Sequence, residues 1–171
     1  MLLGMTSLPG KELTLRVQNQ SDTMTIEYSP IGIFHSPLTP QTGAPRQGAL
    51  NPENGGSIEI YEPYKNALKD LARTEYIIVL YHMHRSEKWH TPVRPPESQH
   101  DFGLFATRSP NRPNPIGFAV IRLDGIEGTF LHVSGIDAFD RTPVLDIKPW
   151  LPSIDCPGIG SPSDHEKGVG L

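Results

Sequence analysis

Hydrophobic and polar positions along the chain follow the patterns of short strands. Residues 76–81 (YIIVLY) are apolar on both faces, which is typical of a central, buried strand. Residues 23–34 mix β-branched and aromatic residues, and Pro30 predicts either an edge strand or a bend in the middle of that run. Shorter runs predict further strands at residues 57–61, 104–107, 116–123, 129–133 and 144–147. Strands at this spacing, separated by turn residues, predict a sheet closed into a barrel or sandwich.

One segment has the periodicity of a helix. Residues 63–71 (PYKNALKDL) begin with Pro63, which suits the first position of a helix. Its apolar residues recur at the spacing i, i+3, i+4 and i+7, and they are Tyr64, Ala67, Leu68 and Leu71. Composition excludes a long-helix bundle, because 16 glycines and 18 prolines in 171 residues are about a fifth of the chain, where average usage gives roughly an eighth.

The length and the apolar content of 36% fit a single soluble domain with one core. Residues 1–22 show no sustained periodicity, so we expect a flexible leader there with at most one short strand. Residues 153–171 hold few large apolar side chains, and we expect a flexible tail. The predicted domain covers residues 23–152. Within it, residues 36–56 form a long loop rich in proline and glycine, and such a loop is usually functional or disordered.

Charge narrows the classes of partner. Lys and Arg number 15 against 19 Asp and Glu, so the net charge of −4 excludes an overall basic field of the kind that attracts nucleic acid. Residues 84–112 differ, because they carry an excess of basic residues with Trp89, Phe102 and Phe105 between them. Arginines beside aromatic rings suit unstacked bases and phosphates. We interpret this segment either as a nucleic-acid or nucleotide contact surface or as a solvated loop with ordinary salt bridges.

Two smaller groups of residues carry candidate chemistry. Arg108 and Arg112 lie in the proline-rich residues 108–115 (RSPNRPNP), where a stiff backbone lowers the entropy lost on gripping an anion; the alternative is a plain connection between strands. Three carboxylates follow near the end of a predicted strand, at Asp137, Asp140 and Asp146. Such carboxylates hold a ribose hydroxyl, balance a cationic ligand or act as a general base, or else they are exposed turn charges.

The sequence does not contain the motifs of several common metal, nucleotide and disulfide sites. His82 and His84 form an H-x-H pair that suits a metal on a strand, but no carboxylate stands at ligand spacing, and no metal is expected. Glycine-rich fingerprints of dinucleotide or phosphate binding are missing from the sequence. The single Cys156 cannot form an internal disulfide. Neither a secretory signal nor a run long enough to span a bilayer is present in these residues, so we expect a cytoplasmic protein.

Taken together, the motifs of the chain resemble the TsaA-like family, whose characterised branch, TrmO, methylates tRNA. The matching segments are residues 43–47 (GAPRQ), 84–85 (HR), 91–96 (TPVRPP), 103–110 (GLFATRSP), 112–117 (RPNPIG) and 146–150 (DIKPW). Their order and spacing match from about Ile31 to Pro152.

The resemblance implies a mainly β fold, namely a small single-sheet β-barrel with one or two short helices and no Rossmann fold. It implies an S-adenosylmethionine-dependent methyltransferase, typically a homodimer with the cofactor near the subunit interface. The implied reaction is methylation of N6 of threonylcarbamoyladenosine, next to the anticodon of certain tRNAs. The implied partners are therefore S-adenosylmethionine, tRNA and a second copy of the chain.

The resemblance also assigns residues. Implied cofactor contacts are Pro45, Arg46, Gln47, His84, Arg85, Arg108, Phe118, Asp137, Ala138, Phe139 and Asp140. Candidates for tRNA phosphates or for the threonyl carboxylate are Arg94, Arg112 and Lys148. The acceptor nitrogen belongs to a urea and loses its proton during transfer, and candidates for the base are Asp137, Asp140 and Asp146.

Two departures from the family pattern qualify these expectations. Family members commonly read D-G-T-P where this chain has residues 140–143 (DRTP), so Arg141 replaces a glycine beside the expected cofactor site. Longer bacterial members carry a C-terminal domain that we do not expect in these residues, so dimerisation is expected to build the RNA surface. Two alternatives stay open: a family member that binds S-adenosylmethionine or RNA as a regulator without this reaction, and a metal-dependent hydrolase using the histidines.

Overall fold

Six strands close into an antiparallel barrel. A computed structural model describes residues 13–18, 23–96 and 98–156. The barrel strands are β3 (Gly32–His35), β4 (Gly55–Ile60), β5 (Tyr76–His82), β6 (Ile116–Glu127), β7 (Phe130–Ser134) and β8 (Pro143–Pro149). Their order around the barrel is β3-β4-β7-β6-β5-β8, and β8 pairs with β3 to close it. The expected β-barrel is therefore confirmed.

A separate two-stranded sheet precedes the barrel. It pairs β1 (Leu13–Gln18) with β2 (Thr23–Tyr28) in antiparallel register. Residues 29–31, which include Pro30, belong to neither β2 nor β3, so the predicted run is interrupted there. Strand β1 lies within the predicted leader, whereas residues 1–12, 19–22 and 157–171 lie outside the described residues. The predicted domain boundaries stay predictions.

The barrel interior is filled by the inward face of each strand. On β5, Ile77, Val79 and Tyr81 are buried, while the residues between them are half-buried. This alternation follows from the twofold repeat of a strand. The largest side chains that are almost fully buried are Phe34, Ile58, Ile77, Val79, Ile121, Leu131, Val133, Ile136 and Val144. Every barrel strand contributes at least one buried apolar side chain, and β3 and β8 contribute one each, Phe34 and Val144.

Two segments adopt a secondary structure other than the one predicted from the sequence. The predicted helix at residues 63–71 is instead two 3₁₀ segments, Glu62–Leu68 and Leu71–Arg73, separated at Asp70, whose φ is 66°. The first segment ends at Leu68, and left-handed Asp70 stands directly before the second; Leu68 and Leu71 still pack against the core.

The predicted strand at residues 104–107 is wrong. Leu104–Ala106 form a single 3₁₀ turn, in which the Thr107 N–H and hydroxyl both donate to the Leu104 carbonyl, at 3.1 and 2.8 Å. This turn satisfies its polar groups locally, whereas a strand needs a neighbouring strand to do so. Further short helical segments are the 3₁₀ turn Gly48–Leu50 and the α-helix α1 (Pro152–Asp155). Within the described ranges, no helix has the length and apolar content needed to cross a membrane.

Candidate functional site

Two cavities, each of about 180 Å³, lie among the residues that the sequence singles out. The Asp137 cavity is lined by Gln47, Gly48, Ala49, Arg108, Phe118, Ala119, Val120 and Asp137. The Asp140 cavity is lined by Leu38, Thr39, Pro40, Gln41, Arg85, Phe139 and Asp140. Both combine the long loop of residues 36–56 with the segment that follows β7. The barrel thus brings together chemistry that is about 90 residues apart in the sequence, as between Gly48 and Asp137.

The Asp137 carboxylate is held on both of its oxygens. The Tyr81 hydroxyl donates to Oδ1 at 2.9 Å, and the Gly48 N–H donates to Oδ2 at 3.1 Å. Strand β5 supplies the first donor and the long loop supplies the second. Asp137 therefore joins the barrel wall to the loop that covers it.

Burial sets the electrostatics of this carboxylate. Burial raises the pKa of Asp137, while the hydrogen bonds from Tyr81 and Gly48 and the charge of Arg108 oppose that rise. Burial and the negative charge of Asp137 together raise the pKa of the Tyr81 hydroxyl far above its ordinary value. Tyr81 is therefore protonated and acts as a hydrogen-bond donor throughout the physiological range.

Local sequence explains why Tyr81 reaches Asp137. Its side chain points into the barrel from the end of β5 and packs edge-on against Phe34, with ring centroids 5.8 Å apart. Gly117 pairs with Tyr81 across β5 and β6, and a Cβ at Gly117 would lie 2.1 Å from the tyrosine ring. A residue without a side chain is needed at that position, because the ring occupies the space.

The long loop is seated by a second glycine. A Cβ at Gly48 would lie 1.8 Å from the carbonyl oxygen of Gly135, so the loop backbone lies directly on the turn after β7. This seat places Gln47, whose Oε1 accepts a hydrogen bond from the Arg108 guanidinium. Arg108 is thereby held at the rim of the Asp137 cavity, where Phe118 is 47% exposed.

The Asp140 cavity is built on a tight turn. Asp140 Oδ1 accepts from the Ser36 N–H at 3.1 Å, and the Asp140 N–H donates to the Leu38 carbonyl at 2.9 Å. The next residue, Arg141, has a φ of 65°, so it adopts the left-handed conformation that a glycine adopts without strain. Arg141, which stands where family members commonly have glycine, therefore carries backbone strain.

His84 links this turn to Arg85. The Arg85 Nε–H donates to His84 Nε2 at 3.1 Å, and His84 Nδ1 lies 3.4 Å from the Thr142 hydroxyl. Since Nε2 accepts, we assign the proton of the neutral ring to Nδ1, from the hydrogen-bond network. Burial and the neighbouring charge of Arg85 lower the pKa of His84, which favours the neutral ring.

The structure divides the implied cofactor contacts into three groups. Gln47, Arg108, Phe118 and Asp137 line one cavity, while Arg85, Phe139 and Asp140 line the other. Four further residues line neither of these two cavities in the described part of the chain, namely Pro45, Arg46, His84 and Ala138. Ala138 belongs to the core, and the Arg46 carbonyl accepts a hydrogen bond from Gln47 at 2.6 Å.

The candidate tRNA residues all make contacts within the chain. Exposed Arg94 pairs with Asp101 at 2.7 Å, and Lys148 pairs with Asp146 at 2.5 Å. Arg112 donates to the Thr107 carbonyl at 2.9 Å, and its guanidinium lies 5.6 Å from the ring centroid of Phe105, which is 80% exposed. Asp146 also accepts from the Ile147 N–H at 2.9 Å. It is therefore engaged differently from the other two candidate bases.

The histidines do not gather into a metal site within the described ranges. His82 ends β5 and His84 lies beyond it, and no group of three His, Cys, Asp or Glu side chains with a metal-binding arrangement is found there.

Sequence reasoning missed the residues that hold Asp137 in place. Tyr81 reads as one more core residue of an apolar strand, although a tyrosine at a buried position needs a partner for its hydroxyl. Gly117 belongs to the motif at residues 112–117, but the motif does not reveal that this glycine leaves space for the Tyr81 ring, and nothing in the sequence shows that Gly48 leaves space for Gly135.

Comparisons with known proteins agree with this geometry. The family model "tRNA-methyltransferase O N-terminal domain" matches residues 33–156. A protein of Pyrococcus abyssi named probable S-adenosyl-L-methionine-binding protein is 39% identical over 77% of this chain and 72% of its own length. The tRNA (adenine(37)-N6)-methyltransferase of Escherichia coli is 33% identical over 75% of this chain and 59% of its own length.

A solved structure shares the fold. The crystal structure of TrmO from Pseudomonas aeruginosa is 36% identical with a TM-score of 0.68, covering 82% of this chain and 62% of that one. This chain thus spans about three fifths of the TrmO and Escherichia coli proteins. Since the family model covers well over half of the sequence and the barrel is shared, the chain belongs to the TsaA-like family of tRNA-methyltransferase O N-terminal domains.

Proposed function

We propose that this protein is an S-adenosylmethionine-dependent methyltransferase that acts on N6 of adenosine 37 in tRNA, and that the modified base it accepts is threonylcarbamoyladenosine. The observation that carries the proposal is the Asp137 cavity, where Gln47, Arg108, Phe118 and Asp137 meet. Membership of the family and the names of its relatives support the same activity.

The donor set of the Asp137 cavity fits this cofactor. S-adenosylmethionine carries a carboxylate, two ribose hydroxyls and an adenine with an amino group, and when bound it supplies an electrophilic methyl group. The Arg108 guanidinium suits the carboxylate, because it offers charge-assisted and bidentate hydrogen bonds. Asp137 keeps acceptor capacity for a hydroxyl or an amino group, and exposed Phe118 offers backbone and ring to the adenine.

The protein contributes orientation and removal of a proton. Holding the acceptor nitrogen in line with the methyl group supplies much of the rate acceleration in a displacement at carbon. A carboxylate would accept the N–H proton of the urea when the nitrogen bonds to the methyl carbon, whose bond to the sulfur of S-adenosylmethionine breaks and leaves a neutral thioether. Asp146 is paired with Lys148 and lines neither described cavity, so the proposal narrows the base to Asp137 or Asp140.

The RNA surface is proposed to include Arg94, Arg112 and Lys148, in a homodimer that works in the cytoplasm. Each cavity has about 180 Å³, below the range of about 300–1,000 Å³ that is usual for ligand sites. A second copy or the tRNA itself is therefore proposed to complete the site. Exposed Phe105 beside Arg112 supports a contact with one of these partners.

The test is methyl transfer in vitro. Purified protein is incubated with labelled S-adenosylmethionine and with tRNA from cells that lack this modification, and the nucleosides are analysed by mass spectrometry. We expect label on N6 of threonylcarbamoyladenosine. Cofactor binding without transfer to any tRNA would support the alternative of a regulatory binder, which the strained Arg141 favours.

Two arginine variants test the assignment of the cavity. Arg108→Ala is expected to weaken S-adenosylmethionine binding about tenfold, since a hydrogen bond to a charged group is lost. Arg122→Ala is the matched control, because Arg122 pairs with Asp124 on β6 and lines neither described cavity. Equal affinities of the two variants, measured by calorimetry, would contradict the proposed site.

A further inference from the structure

The hydroxyl of Tyr81 is placed where it acts on the site only through Asp137. Tyr81 is 7% exposed and is not among the residues that line the Asp137 cavity in the described chain. Its one described side-chain hydrogen bond goes to Asp137 Oδ1, at 2.9 Å. Phe34 and Gly117 confine the ring on two sides, so the hydroxyl has little freedom to move.

The Asp137 carboxylate can accept further hydrogen bonds. A carboxylate oxygen accepts along two directions; the Tyr81 hydroxyl uses one on Oδ1, the Gly48 N–H uses one on Oδ2, and the backbone N–H of Asp137 itself contributes a third contact. The remaining capacity is available to a donor in the cavity, and Asp137 lines that cavity. An ionised carboxylate accepts such a hydrogen bond, whereas a protonated one loses part of that capacity.

We propose that Tyr81 is a positioning residue whose hydroxyl keeps the Asp137 carboxylate ionised and fixed in orientation, so that Asp137 accepts a hydrogen bond from the bound cofactor. This inference rests on the proposed function, because the ligand is taken to be S-adenosylmethionine. Tyr81 itself touches neither the cofactor nor the reacting atoms.

Electrostatics around Asp137 support this role. The groups that face it are the Tyr81 hydroxyl from β5, the Arg108 guanidinium from the loop before β6 and the Gly48 N–H from the long loop. All three favour the ionised carboxylate, against the burial that raises its pKa. Removing the hydroxyl takes away one of these donors, so the pKa of Asp137 rises further.

Tyr81→Phe is the test, because it keeps the ring between Phe34 and Gly117 and removes the hydroxyl alone. Tyr76→Phe is the matched control, since Tyr76 lies on the opposite face of β5 and packs against Trp150 at 5.7 Å. The titration midpoint of the Asp137 carboxyl is measured by carbon-13 NMR without ligand. Calorimetry then gives the affinity for S-adenosylmethionine between pH 5 and pH 8.

We expect the Asp137 midpoint to rise by about one pH unit in Tyr81→Phe, as a lost hydrogen bond to a charged group implies, and to stay in place in Tyr76→Phe. Cofactor affinity of Tyr81→Phe should fall by about fivefold to tenfold below the Asp137 midpoint measured for that variant and recover partly above it. In an Asp137→Ala background, which has no acceptor for the Tyr81 hydroxyl, Tyr81→Phe should have no further effect on binding.

The outcomes separate the two proposals. Two results would overturn the role of Tyr81 and leave the proposed function standing. One is an Asp137 midpoint that Tyr81→Phe does not shift. The other is a wild-type protein that binds the cofactor with an affinity that Tyr81→Phe leaves unchanged across the pH range. A wild-type protein that does not bind S-adenosylmethionine overturns the proposed function and, with it, the ligand assigned to Asp137. A loss of affinity that Tyr81→Phe still causes in the Asp137→Ala background would overturn action through Asp137.

Discussion

An alanine at position 117 would place its Cβ 2.1, 2.3 and 2.5 Å from three atoms of the Tyr81 ring. Carbon atoms in ordinary contact lie about 3.5–4.0 Å apart, so the ring or the strand would have to move by roughly 1.5 Å. Tyr81 is confined by Phe34 on its other side, and a movement of that size breaks its hydrogen bond to Asp137.

Both effects contribute to the expected loss of stability. Overpacking a core costs about 1–3 kcal/mol, and a lost hydrogen bond to a charged group costs about 1.5–3 kcal/mol. We expect Gly117→Ala to lower the free energy of unfolding by about 3 kcal/mol, which corresponds to a fall of about 6–12 °C in Tm for a chain of this size. Urea unfolding and thermal unfolding measure the two quantities.

Gly125→Ala is the control for this prediction. Gly125 lies in the same strand, β6, but a Cβ there meets nothing within 4 Å. Its substitution should leave stability unchanged or raise it by about 0.5 kcal/mol, because alanine restricts the unfolded chain. Equal stabilities of the two alanine variants would refute the argument from the Tyr81 ring.

Two further predictions concern the turn after β7 and the histidine beside it. Arg141 has a φ of 65°, so Arg141→Val should lower the free energy of unfolding by about 1–2 kcal/mol, whereas Arg141→Gly should keep it or raise it slightly. Identical urea midpoints for the two variants would contradict backbone strain at this position. Burial lowers the pKa of His84 and of His82 in the folded protein, so the unfolded chain binds protons first as the pH falls. The contribution of the two histidines to stability is therefore expected to be full above about pH 6.5 and to decrease below it. In urea unfolding, the double variant His82→Gln/His84→Gln should lose less stability between pH 7 and pH 5 than the wild type. An equal loss in both proteins would argue against this linkage.

Contacts within the chain qualify the proposed RNA surface. Arg94 and Lys148 each pair with a neighbouring carboxylate, and Arg112 is held by a backbone carbonyl. Exposed ion pairs contribute little to stability, so exchanging a carboxylate for a phosphate has a low cost for Arg94 and Lys148. Arg112 differs, since its guanidinium lies over the ring of exposed Phe105, 5.6 Å from the ring centroid, so both side chains are already placed together at the surface.

Sequence patterns predicted strands well where the alternation of buried residues is local. Strands β5 and β8 were predicted nearly to their ends, because apolar runs bounded by turn residues have few other structures available. The segment at residues 104–107 failed for the opposite reason. Leu104 and Phe105 look like strand residues, but only Leu104 is buried, and Phe105 is exposed at the surface.

By itself, the sequence determined the fold class, the family motifs and the residue types available for binding, because periodicity and motif spacing are local properties of the chain. Only the tertiary structure decided which candidates share a cavity, since Gly48, Tyr81 and Asp137 come from distant parts of the sequence. The closed barrel brings Asp137 against the tyrosine and the loop, and burial there changes the pKa of both side chains. Space left by Gly48 and Gly117 makes those contacts possible, and space of this kind is defined only when the surrounding elements have packed.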